Sequence, residues 1–155
     1  MTALRPLTTL APVAAAVALF VAGCGGGSGV SKNDYVKDLN EAVASLQKST
    51  SSLTPEAATS GGAAVKQLES GGQAMDVAAE NFNNITPPDD AEHAHGQIVD
   101  GLHKLADTFR DAADAARSKD SDKLVKLLQG IQDTPGAKEL QSATEELAAK
   151  GYNVQ

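Results

Sequence analysis

With 20 Asp and Glu against 13 Lys and Arg, this 155-residue chain carries a formal charge of −7 at pH 7, the wrong sign for gripping nucleic acid or lying flat on an anionic bilayer. Its length suits one domain with one core, and because aromatic residues make up only 3%, that core has to be assembled from Leu, Val, Ile and Ala. The single cysteine rules out an internal disulfide and C-x-x-C redox or haem-attachment chemistry.

The chain opens on a short basic start, the amino terminus and Arg5, followed by an apolar run from Leu7 to Val21 that is broken by Pro12 and closes on small residues. That is the layout of a secretory signal. The run is shorter than the roughly 20 apolar residues a membrane-spanning helix needs, and Gly25-Gly26-Gly27 follows where a stop-transfer segment would place basic residues. A single-pass anchor is the competing reading. Val21-Ala22-Gly23-Cys24 resembles the lipobox of bacterial lipoproteins: an aliphatic residue, two small residues, then cysteine. The resemblance implies cleavage between Gly23 and Cys24 and a diacylglyceryl group, with palmitate-type chains, on the Cys24 sulfur. Physically, Ala22 and Gly23 let an extended backbone enter a protease cleft, and the thiol is the one strong nucleophile available for alkylation. Two acyl chains hold a protein on a bilayer where a single chain is marginal, so the expected location is the extracytoplasmic face of the cell membrane. Loss of Arg5 leaves 12 basic against 20 acidic side chains, a formal charge of −8. The expected organisation is a signal peptide over 1–23, a lipidated Cys24 with a flexible Gly-rich linker over 24–30, and a folded domain over 31–155.

Beyond the linker the periodicity is helical. Ser31-Lys32-Asn33-Asp34 resembles a capping box with Asp in the Glu position, and Tyr35, Val36, Leu39, Ala42, Val43 and Leu46 then recur at three and four, predicting an amphipathic helix to about Ser51. Thr54-Pro55-Glu56 is a second start signal. The region after it carries Ala58, Val65, Leu68, Met75, Ala79 and Phe82, interrupted by Gly61-Gly62 and Gly71-Gly72. Each glycine costs about 1 kcal/mol against alanine in a helix interior, so a break or bend is expected at Gly61-Gly62. Gly72 shares a face with Val65 and Ala79; either it admits a close neighbouring helix or the region is weak.

Thr86-Pro87-Pro88-Asp89-Asp90 ends that region and opens the next, with proline in a first turn and acids at the positive end of the macrodipole. The third helix is the most regular: Ala91, Ile98, Leu105 and Ala112 form one seven-residue series, His95, Leu102, Phe109 and Ala116 another, and Val99, Ala106 and Ala113 widen the stripe. Asp100/Lys104 and Arg110/Asp114 are spaced to pair on its outer face. After a polar turn over 118–122, Leu124, Leu127, Leu128 and Ile131 predict a short helix. Thr134-Pro135-Gly136 marks a fresh start, and Leu140, Thr144, Leu147 and Ala148 carry the pattern to a stop at Gly151. No stretch alternates long enough for a strand. The expected fold is all-α, an antiparallel bundle of about four helices.

His93, His95 and His103 are the only histidines. The first two point about 200° apart on a helix and cannot share an ion. His95 lies on the seam, where a partly buried, hydrogen-bonded histidine is the plain explanation. His103, with Asp100 and Asp107 at i−3 and i+4, is a solvated charge cluster before it is a metal site. Glu92 and His95 match half of a di-iron motif that has no second half. No G-x-S-x-G, Walker loop or H-E-x-x-H run is present, so no catalytic, cofactor or metal residue is assigned.

Thr86-Pro87-Pro88 before an acidic, His-containing helix, Gly151-Tyr152-Asn153-Val154 after the last one, and the alanine-rich, aromatic-poor composition make the chain similar to small helical lipoproteins of actinobacteria. Relatives of that kind carry one cysteine in the first helix and another after the last, which here are missing; the resemblance supplies no catalytic residues. The function expected is a non-catalytic binding or scaffolding module meeting envelope proteins from the membrane surface. The alternative is a carrier that holds an apolar small molecule or lipid between the second and third helices, with no nucleic-acid partner in either case.

Overall fold

The computed structural model describes residues 29–51 and 61–154. The signal segment, Gly23, Cys24, most of the Gly-rich linker and the Thr54-Pro55-Glu56 start signal lie outside the described residues. What is described is all-α: α1 (Lys32–Thr50), α2 (Gly61–Asn83), α3 (Glu92–Arg117), α4 (Ser121–Gln129), a 3₁₀ turn at Ile131–Asp133, and α5 (Pro135–Ala149). The all-α bundle is therefore the observed class, with four longer helices and the short α4 among the described residues.

The starts and stops follow local chemistry. Ser31 caps α1 by accepting from the Asp34 N–H at 3.2 Å, but Asp34 does not reach back to the Ser31 backbone as in a full capping box. It accepts instead from the Ser31 hydroxyl at 2.7 Å. Asp120 and Thr134 cap α4 and α5 through Lys123 N–H at 3.0 Å and Ala137 N–H at 3.3 Å, with Pro135 at the first helical position. The Pro87-Pro88 pair sits before α3 rather than in its first turn: Ala91 closes a turn on the Pro88 carbonyl at 2.8 Å, and α3 starts at Glu92 with no side-chain cap. The short fourth helix stops at Gln129, and Ile131 belongs to the 3₁₀ turn. At the end of α5, Gly151 has φ +82°, and the N–H groups of Gly151 and Tyr152 reach Ala148 and Leu147 carbonyls at 3.0 and 2.9 Å. This is a Schellman stop, and it turns Tyr152 back into the core. A second one ends α3 with Lys119 at φ 59°, a left-handed position held by a residue that pays for its Cβ.

α3 is the hub, packed against α2 on one side, α5 on another and α4 at its far end. Cross-helix pairs fix the directions. Arg110 meets Asp76, Arg117 meets Glu69 and Lys104 meets Glu139, while His93 bonds Glu146 at 2.7 Å, so α2 and α5 both run antiparallel to α3. These links replace the within-helix pairs Asp100/Lys104 and Arg110/Asp114, because a long cation can reach an acid on the neighbouring helix. The second helix is not interrupted at Gly71-Gly72. A Cβ at Gly71 would lie 3.0 Å from the Phe109 ring and one at Gly72 3.2 Å from the Ala106 carbonyl, so the pair admits α3 at close range. α3 and α5 cross closer still: a Cβ at Gly136 would stand 2.6 Å from the Gly101 carbonyl.

Two apolar clusters result. The larger gathers Tyr35 and Leu39 of α1, Ala79 and Phe82 of α2, Ile98 and Leu102 of α3, Leu147 of α5 and Tyr152. The smaller, at the far end, joins Leu68, Ala112 and Ala113 to Phe109, Leu124 and Leu127. Burial on α3 extends past the expected stripe to Ala94, Gly101 and Ala115, because the hub helix meets neighbours on several sides.

Candidate functional site

α5 is drawn onto α3 by the Gly101–Gly136 crossing, and α1 runs closest to α2. Between α1 and α5 the bundle therefore stays partly open. The gap is a groove of about 670 Å³, inside the size range of small-molecule pockets. Leu39, Val43 and Leu46 form one wall, Leu140, Thr144, Leu147 and Ala148 the other, with Ile98 and Leu102 of α3 as the floor. Phe82 and the 152–154 segment line one end, and no charged side chain lines the groove. The local reason is legible in α5. Its groove face reads Leu140, Thr144, Leu147, Ala148, so a polar and a small residue stand where leucines would fill the space. Val43, Leu46 and Leu140 are left half-buried.

Where the sequence expects the carrier site, between the second and third helices, Gly71 and Gly72 bring α2 close to Phe109 and the α3 backbone. Two other hollows differ in kind. One of about 540 Å³ between α1 and the end of α2 is lined by Asp38, Glu41, Asn81 and Asn84 among others. One of about 380 Å³ lies under α4 beside Lys123, Lys126 and Asp133.

Beneath that end of the groove lies a polar network of the main core. The Tyr35 hydroxyl is 2.9 Å from His95 Nδ1. The Phe82 backbone favours the protonated ring, and which of Tyr35 and His95 donates depends on the tautomer of the imidazole. Burial holds the His95 pKa below its ordinary value, the Phe82 bond partly opposing, and pushes Tyr35 up to about 12. The Tyr35 and Tyr152 rings meet edge-on with centroids 5.5 Å apart, a favourable aromatic geometry. Tyr152 donates to Asp90 at 2.5 Å. Burial first, then that carboxylate, raise its pKa. Asp90 is lowered by Tyr152 and by Lys32, whose ammonium lies 3.0 Å from it and 4.7 Å from the centre of the Tyr152 ring. Lys150 bonds Glu146 at 2.6 Å and, with His93, lowers that carboxyl.

The three histidines are thus accounted for. His95 is the buried, hydrogen-bonded seam residue the sequence suggests. His93 pairs with Glu146. His103 faces Asp76 of α2 at 3.5 Å in place of the Asp100/Asp107 cluster expected from spacing. Among the described residues no group of three or more His, Cys, Asp or Glu side chains is placed to hold a metal ion, and no helix is long and apolar enough to cross a membrane. Cys24 and Gly23, the lipidation and cleavage residues, lie outside the described residues. Sequence reasoning missed the groove and the pairing of Tyr152 with Tyr35; the Gly151-Tyr152 stop was the available signal for the second.

No protein-family model, curated protein or solved structure matches this chain.

Proposed function

We propose that this is a lipoprotein held on the extracytoplasmic face of the cell membrane through Cys24, and that its helical domain is a non-catalytic carrier of an apolar molecule. The observation that carries the reading is the α1/α5 groove: about 670 Å³, aliphatic on both walls and the floor, with no charged side chain. Such a surface favours apolar contact, and no carboxylate, histidine or cysteine lines it. The polar pair Tyr35 and His95 beneath it is buried and hydrogen-bonded. The sequence of the leader supports the anchor, since Val21-Ala22-Gly23-Cys24 closes an apolar run of signal length.

The test uses the chain's own fluorescence. Tyr35 and Tyr152 are its only tyrosines and it has no tryptophan, so energy transfer from tyrosine to 1-aminoanthracene reports a dye seated beside Tyr152. Full-length protein in nanodiscs is expected to quench saturably, and the Thr144→Leu/Ala148→Leu double variant to lose that quenching while remaining folded. Equal quenching in both proteins would remove the groove reading. Intact-mass measurement of the same material tests the anchor, which falls if residue 24 carries no acyl groups.

A second reading, scaffolding of envelope proteins, has its own observation. Val125 and Leu128 of α4 are 49% and 38% exposed, side by side with Lys123 and Lys126. Cross-linking on intact cells that recovers a partner at α4 would favour it.

A further inference from the structure

We infer that the occupant of the groove is an acyl chain of a glycerolipid taken from the bilayer in which the protein is anchored, entering at the Tyr152–Val154 end. The inference rests on the carrier reading and adds the source, the ligand class and the direction of entry.

Three observations converge. The first is where the tether arrives. α1 begins at Lys32, whose ammonium donates to the Lys150 carbonyl at 3.1 Å and stacks on Tyr152, so the first helix starts beside the Tyr152–Val154 end of the groove. Cys24 is seven residues ahead of Ser31, and seven residues span at most about 25 Å. An acyl group on Cys24 therefore keeps the Tyr152–Val154 end within about that distance of the lipid headgroups. Leu46, at the other end, lies fourteen residues along α1 from Lys32, about 21 Å farther along the helix axis.

The second is the lining. Leu, Val and Ile dominate it, and Phe82 and Tyr152 are the only aromatic side chains present. That suits a flexible hydrocarbon more than a flat ring system, which binds best between aromatic faces. The third is the rim. Lys32 is paired with Asp90 at 3.0 Å and Lys150 with Glu146 at 2.6 Å, so the two cations beside the entrance are already neutralised. Neither of these two cations is left to hold a headgroup, which stays in water while the chain enters. The site reads the tail rather than the head.

The experiment places the full-length, acylated protein in vesicles of phosphatidylethanolamine and phosphatidylglycerol that contain phosphatidylethanolamine with a diazirine on one acyl chain. After irradiation and digestion, a diazirine near the methyl end is expected to label the peptides around Leu46 and Leu140, and one near the glycerol end those around Asn153 and Val154. Labelling should fall about tenfold, equivalent to about 1.4 kcal/mol of binding, in Thr144→Leu/Ala148→Leu, with circular dichroism confirming that the variant is folded. If aminoanthracene binds in the groove but no lipid adduct forms there, the lipid inference is overturned and the carrier reading stands. If neither binds, both fail. Adducts spread over the outer faces of α2 and α4, or unchanged in the double variant, also overturn it, as does a groove found filled by the acyl chain of Cys24 itself or by a second copy of the protein.

Discussion

His95 and Tyr35 show how one buried hydrogen bond sets the response to pH. The ordinary His value is 6.5 and burial lowers it in the fold, so the unfolded chain takes up a proton first as pH falls. The stability carried by neutral His95 is complete above about pH 6.5 and is lost as pH falls from there through the folded value. Protonation also makes both ring nitrogens donors, so the Tyr35 hydroxyl can then only accept from Nδ1. Asp90 and Glu146, both lowered, add their losses only in more acid solution, below the ordinary carboxyl range. Urea unfolding is therefore expected to show declining stability from about pH 7 to about pH 5, and His95→Gln to be less stable at neutral pH but flat across that window. An unchanged slope in the variant would place the acid sensitivity elsewhere. The tyrosines give the opposite sign. Tyr35 is pushed up to about 12 and Tyr152 is raised as well, so their contribution is intact below the ordinary phenol value of about 10 and disappears as pH rises through the folded values. Phenolate absorbance should appear together with loss of helical circular dichroism in one step. A separate titration near the ordinary value, with the helices intact, would mean that a ring is open to water.

At the scale of elements, the helices were legible and their spacing was not. Period placed α1, α3 and α5, and capping residues fixed the starts of α1 and α5, because both act within a turn or two. Ser31, Thr134 and Gly151 do in the structure what their types suggest. Which faces meet is a property of neighbours, and only glycine hinted at it. Gly72 could be read as close packing or as weakness; the Ala106 carbonyl at 3.2 Å from its virtual Cβ decides for packing. Gly101 gave no signal, since a lone glycine on a regular helix is ambiguous until its partner Gly136 is known. The groove was equally hidden, because Thr144 and Ala148 read as ordinary seam residues. Two consequences can be measured. Gly136→Ala is expected to cost about 1–3 kcal/mol as overpacking, because the obstructing atoms are backbone and cannot swing away. Gly96→Ala, with nothing within 4 Å of its virtual Cβ, should gain up to about 1 kcal/mol from helix propensity. Chemical denaturation distinguishes them by sign, and similar values would contradict the crossing. Filling the gap in α5 has a different signature. Thr144 and Ala148 are exposed, so Thr144→Leu/Ala148→Leu is expected to change stability by no more than about 1 kcal/mol while ligand uptake falls.

For the molecule as a whole, charge and tether act together. A domain whose acidic residues outnumber its basic ones 20 to 12 once the proposed cleavage removes Arg5 is repelled by anionic headgroups over about a Debye length, ~8 Å at physiological salt. On the proposed anchoring it does not lie down on the bilayer, and the linker alone would bring the Tyr152–Val154 end near the lipid. Geometry, not surface attraction, then controls access. A stiff spacer separates the two: about twenty residues of EAAAK repeats inserted after Gly27 add about 30 Å at ~1.5 Å per helical residue, more than the natural linker spans. Aminoanthracene binding should be unchanged, since the groove itself is untouched, whereas labelling by membrane-resident diazirine lipid should drop steeply. Gly/Ser insertion of the same length is expected to restore part of it, because a flexible chain of that size still visits the surface. Lipid labelling that ignores both insertions would mean that the chain is loaded before anchoring or from a carrier in solution, and the route through the Tyr152–Val154 end would have to be abandoned.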